Sequence, residues 1–130
     1  MDIGITVRLD LPFDAAVERT RAALKEQGFG VLTEIDVQAT LREKLGEEME
    51  RYLILGACNP PLAHRALGVD RRIGLLLPCN VVVREDEGAT IVEALDPEIM
   101  VSSTGEPGFT PVAQEAAARL RKALDTLGPS

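Results

Sequence analysis

The first residues in this chain to suggest chemistry are its two cysteines. They sit in Ala57-Cys58-Asn59-Pro60-Pro61 and Leu77-Pro78-Cys79-Asn80-Val81, and the sequence holds no third. Each belongs to a Cys-Asn pair beside a proline, at the edge of an apolar run where a strand meets a turn. A thiolate can attack a substrate, form a disulfide or hold a soft metal. A carboxamide both donates and accepts hydrogen bonds, so it can orient a bound group. If the two strands are neighbours in an antiparallel meander, both sulfurs approach each other at one end of the sheet. A disulfide there needs Cα atoms within about 7 Å.

Cys58 is the better candidate for a reactive sulfur. Asn59-Pro60 is a helix-start signal, because asparagine caps free N–H groups and proline loses nothing at the first helical position. The positive end of that helix favours a thiolate by about 0.3–1 kcal/mol when exposed, and it suits a carboxylate or phosphate equally. Cys79 shares a strand face with Val81 and Val83, and its ordinary role is that of a small buried hydrophobe. His64, the single histidine, would complete a Cys58, Cys79, His64 set for zinc or copper. The spacing fits no established ligand pattern, and His64 falls off the apolar stripe of its helix. Glu34 and Asp36 share one strand face at a separation of roughly 6.6–7 Å, which resembles paired acid–base carboxylates. A solvated face, or ion pairs with Lys44 or Arg42, is the plainer reading. No glycine-rich phosphate cradle is present in the sequence.

These residues need a scaffold, and periodicity supplies one. Ile3, Ile5, Val7 and Leu9 alternate as a strand with one buried face. Pro12 opens a helix carrying Phe13, Val17, Thr20 and Leu24 inward, and Gly28 stops it. The next strand is expected to place Val31, Thr33, Ile35 and Val37 on one face, with Leu32, Glu34 and Asp36 on the other. A short helix around Leu41 and Leu45 ends at Gly46. Tyr52 to Ala57 is apolar on both faces and belongs inside the sheet. Leu62, Ala63, Ala66 and Leu67 stripe the helix after Pro60, which Gly68 closes. Val81 to Val83 and Thr90 to Leu95 form a hairpin around Asp86-Glu87-Gly88. Asp96-Pro97 opens a short helical turn, and Ser102 to Gly108 reads as a loop. From Thr110-Pro111 a last helix buries Ala113, Ala116, Leu120, Leu124 and Leu127. The order β-α-β-β-β-β-α implies an α+β fold, a mostly antiparallel five-stranded sheet with two long helices on one face and short inserted helices.

Composition narrows the partners. At 130 residues the chain is sized for a single domain over residues 1–130. A formal charge of −7 with only short basic clusters excludes a phosphate-backbone binder and an anionic-membrane binder. Phe13, Phe29, Tyr52 and Phe109 are too dispersed to stack bases. The start lacks a basic region followed by an apolar one, and no apolar run is long enough to span a bilayer, so a soluble cytoplasmic protein is expected.

Several stretches together are similar to one bacterial family. They are Glu26 to Val37, Ile54 to Pro61 (Ile-Leu-Gly-Ala-Cys-Asn-Pro-Pro), Ala63-His64 and Gly74 to Val81 (Gly-Leu-Leu-Leu-Pro-Cys-Asn-Val), with Phe13 to Leu24 and Asp96-Pro97 on the flanks. On these signatures the chain resembles domain of unknown function 302. The resemblance implies a β-α-β(4)-α fold related to the TATA-binding-protein and helix-grip topologies, commonly homodimeric. It marks Glu34, Asp36, Lys44, Cys58, Asn59, Cys79 and Asn80 without giving them roles, and it leaves any cofactor unknown.

Three functions remain open from sequence. One is a homodimeric module holding a small ligand, metal or sulfur species near Cys58 and Cys79. Another is thiol redox or sulfur transfer, with Cys58 attacking and Cys79 resolving. The last is a purely structural dimer that acts only through protein contacts, with both cysteines in its core; an inserted helix or a second subunit must cover the outer face of the Tyr52 to Ala57 strand.

Overall fold

The computed structural model describes residues 3–128. Five strands, β1 (Gly4–Leu9), β2 (Gly30–Asp36), β3 (Tyr52–Cys58), β4 (Cys79–Asp86) and β5 (Ala89–Leu95), form one sheet in the order β1-β5-β4-β3-β2. Every neighbouring pair is antiparallel. The chain leaves β1 at one edge, crosses through α1 (Phe13–Glu26), and enters β2 at the other edge. The last helix, α5 (Thr110–Asp125), packs beside α1. The α+β architecture expected from periodicity is therefore present.

Strand alternation decides what each face carries. Leu53, Leu55 and Ala57 of β3 join Val81 and Val83 of β4 and Val92 and Ala94 of β5, all buried against Phe13, Val17 and Leu24 of α1 and Leu120 and Leu124 of α5. Full burial of a side chain such as Leu55 contributes about 2 kcal/mol. The apolar stripes read for both long helices are buried as expected. A second, smaller core lies under α3 (Pro60–Val69) and α4 (Ile99–Thr104), where Leu62, Ala66, Ile73, Met100 and Phe109 meet Val112 and Ala116 of α5. Residues 102–108, expected as a loop, instead finish α4 and enter a short 3₁₀ turn that buries Phe109. The anchors Met100 and Phe109 explain the difference.

The second strand departs from simple alternation. A bulge between Val31 and Thr33 shifts its register. Val31 stands opposite Ala57 on the core face, whereas Thr33 stands opposite Gly56 on the outer face. Beyond the bulge Glu34 and Asp36 do share a face, the core side, opposite Leu55 and Leu53. Val37 does not belong to the strand at all, because it begins α2 (Val37–Leu45), a surface helix with no buried residue. Among the described residues no helix is long and apolar enough to cross a membrane.

Candidate functional site

At the Cys58 end of β3 the structure separates the residues that the sequence placed together. Ala57, not Cys58, is the register partner of Cys79, while Cys58 stands opposite Gly30. Successive side chains on a strand point to opposite faces. Cys79 therefore belongs with Ala57 and Val81 on the core side, and Cys58 belongs to the other face. Both cysteines are free. The expected sulfur pair is not formed: the register is offset by one residue, so the two cysteines are not cross-strand partners, although both border one niche.

The space there is also small. Cys58 and Cys79 border an apolar niche of about 30 Å³, walled by Phe29, Leu62, Ala66 and Met100. Burial pushes the Cys79 thiol up to about 11, and the nearby Cys58 charge adds to the effect. Cys79 is therefore a neutral thiol at neutral pH, which suits packing and not the resolving of a disulfide. His64 is exposed on α3. Among the described residues no group of three His, Cys, Asp or Glu could hold a metal ion, so His64 is not gathered with the cysteines.

Asn59 has a structural task. Its Oδ1 accepts from the Leu62 N–H at 3.3 Å, capping α3, and its Nδ2 donates to the Gln27 carbonyl at 3.3 Å. Arg119 donates to that same carbonyl, so Asn59 and α5 together fasten the end of α1. Gly28, at φ +84°, completes the joint: a Cβ there would come within 2.9 Å of Asn59 Nδ2. Gly56 has a comparable reason, because a Cβ would collide with Thr33 Oγ1 and press on Pro78 at 3.0 Å. Asn80 lies exposed on the outer face, in a shallow groove with Tyr52, Val82 and Leu95.

The opposite end of β3 opens into a cleft of about 490 Å³ between α1 and the β2–β3 edge. Its apolar floor is Phe13, Val17 and Leu53, all largely buried. Along α1, Asp14, Glu18 and Arg21 recur at helical spacing and form one wall. Antiparallel pairing sets Glu34, Asp36 and Arg51 in order along the other wall. The walls run in opposite charge order, so two ion pairs close the ends: Arg51 with Asp14 at 3.0 Å, and Arg21 with Glu34. Arg51 lies over the Phe13 ring, 4.1 Å from its centroid. Its backbone is fastened to Glu85, whose N–H donates to the Arg51 carbonyl and whose Oε1 accepts from the Arg51 N–H.

Between the paired ends sit two less committed carboxylates. Asp36 uses Oδ1 to cap α2 through the Ala39 N–H at 2.9 Å. Glu18 makes no hydrogen bond or ion pair among the described residues. Lys44 lies exposed on α2 and does not line the cleft, and Arg42 pairs with Glu48, so neither serves Glu34 or Asp36 as expected. Sequence reading found Glu34 and Asp36 but missed Asp14, Glu18, Arg21, Arg51 and Tyr52. Their signal was the polar flank beside the apolar stripe of α1, which becomes meaningful only with the β2–β3 register.

Comparison with known proteins agrees with this architecture. The family model described as "Domain of unknown function DUF302" matches residues 5–127. The crystal structure of an uncharacterised conserved DUF302 protein from Bacillus stearothermophilus is similar, at 31% identity and a TM-score of 0.92. That alignment covers 98% of this chain and 99% of the other. Among curated proteins none matches the chain.

Proposed function

The chain belongs to the DUF302 family, and from that premise we propose that it is a homodimeric module binding a small organic ligand in the cleft between α1 and the β2–β3 edge. The cleft itself carries this reading. Its volume lies within the roughly 300–1,000 Å³ usual for small-molecule sites, and polar groups converge over an apolar floor. The niche at Cys58 and Cys79 has room for little more than one water-sized group, which favours the cleft over the sulfur end. A metal or sulfur species held between the thiols, and a dithiol redox cycle, both require a sulfur pair, which an offset register without cross-strand cysteine partners does not favour.

The dimer is inferred from the sheet face turned away from α1 and α5. There Val82 and Leu95, with Ile54 as the register partner of Val82, share the face with a polar row in which Glu93 accepts from Thr6 and from Arg84, each at 3.1 Å. The row is internally neutralised, leaving an apolar surface that a second copy would cover. Isologous packing of one such face on another satisfies both copies at once.

Native mass spectrometry of gently purified protein tests both parts. A mass of two chains with a retained small molecule is expected, and Val82→Glu should return the assembly to single chains. Single chains at micromolar concentration would remove the dimer. A retained molecule that protects Cys58 or Cys79 from alkylation, while leaving the cleft unaffected, would move the site back to the sulfurs.

A further inference from the structure

The order of charges in the cleft narrows the ligand, and this step rests on the binding reading above. We propose that the site recognises a small zwitterion of the amino-acid type, a primary ammonium close to a carboxylate. The two walls place arginine at the ends and carboxylates in the middle: Asp14, Glu18, Arg21 against Arg51, Asp36, Glu34. From Glu18 in the middle to Asp14 at the Arg51 end is four residues, or about 6 Å along α1, a distance that a ligand with adjacent ammonium and carboxylate groups can bridge.

Each charge of such a ligand finds an opposite partner. An ammonium between Glu18 and Asp36 meets two carboxylates, one of which has no partner of its own among the described residues. The carboxylate then reaches Arg51, whose fastened backbone and stacking on Phe13 hold the guanidinium ready. Asp14 does not block it. The Asp14 carboxylate is 83% exposed, and an exposed pair of this kind is worth only about 0–1 kcal/mol, so a better-placed carboxylate replaces it easily. Phe13, Val17 and Leu53 then receive the apolar part of the ligand.

Other classes fit less well. Among the described residues the carboxylates do not converge as a metal site, so a bare divalent cation lacks its ligand set. A dicarboxylate would set a negative group against Glu18 and Asp36, and a diamine would set a positive one against Arg51.

Amide NMR titration of the full chain with L-leucine and L-glutamine tests the assignment, with 1,4-diaminobutane, succinate and N-acetyl-L-leucine as comparators. The amino acids should shift amides at residues 14–21, 34–38 and 51–53 in a saturable way, and N-acetyl-L-leucine should not. Glu18→Gln and Arg51→Gln should each weaken the amino acid at least tenfold. Glu18→Gln removes no contact of the fold, so its spectrum reports binding alone. Equal or tighter binding of the diamine or succinate at the same amides would overturn the class while keeping the cleft as the site. Shifts from none of these probes would also overturn it. The binding reading itself falls if native mass spectrometry retains no molecule, or if the retained molecule lies outside the cleft.

Discussion

At the Cys58 end of β3, nearly every polar group is committed to holding the fold, while at the Arg51 end the polar groups face open space. Asn59 caps one helix and ties down another, Gly56 exists because Thr33 crosses it, and the half-buried Cys79 keeps its proton. At the other end the ion pairs are half-exposed and one carboxylate is uncommitted. Buried polar groups must be satisfied by fixed partners, which leaves them little freedom to bind anything else. Exposed pairs are weak and exchangeable, which is what a reversible binding site requires. A distinctive motif can therefore mark a joint, and an ordinary-looking charged edge can mark a site.

Substitutions at the two ends should differ most in stability. Asn59→Ala removes a cap and one of the two donors to the Gln27 carbonyl, so a loss of about 2 kcal/mol is expected in denaturant unfolding. Asn59→Asp keeps the capping oxygen and should recover part of that loss. If Asn59→Ala is neutral, Asn59 does not fasten α1 to α3.

Alkaline pH provides a subtler probe of the same end. The Cys79 thiol stays protonated in the folded chain up to about 11, whereas the unfolded chain ionises near its ordinary 9.0. Between those values the unfolded state holds fewer protons and is favoured. Stability from this group is therefore intact below about pH 9, falls as pH rises, and levels off above about pH 11 after losing roughly 2–3 kcal/mol. Cys79→Ala should flatten that part of the stability profile. An unchanged profile would mean that Cys79 is solvated and available for chemistry.

The smallest effect is expected in the cleft. Arg21→Gln breaks the pair with Glu34, but both side chains are partly exposed, so unfolding should change by under about 1 kcal/mol. A loss as large as that of Asn59→Ala would show the cleft to be architecture as well.

How legible all this was in the sequence depended on the type of signal. Helical stripes such as Phe13, Val17, Thr20 and Leu24 are local, and they predicted burial correctly. The number of strands and their antiparallel meander followed from alternation and turn residues. Register is not local. A single residue of offset put Ala57 in the place expected for Cys58 and dissolved the sulfur pair. The bulge after Val31 moved Thr33 to the other face, where it meets Gly56, and nothing in the run Gly-Val-Leu-Thr announces it. The cleft suffered from the same gap. Glu34 and Asp36 were visible as a pair, but Arg21 and Arg51 come from distant segments that only the packed sheet and helix bring together.

The most direct test of which end of β3 carries function is a fragment-library screen read by amide NMR. The fragments that bind should cluster their shifts on Asp14, Glu18, Arg21, Glu34, Asp36, Arg51 and Tyr52. Shifts concentrated instead on Cys58, Asn59, Ala63 and Cys79, with the Arg51 end unmoved, would contradict the assignment.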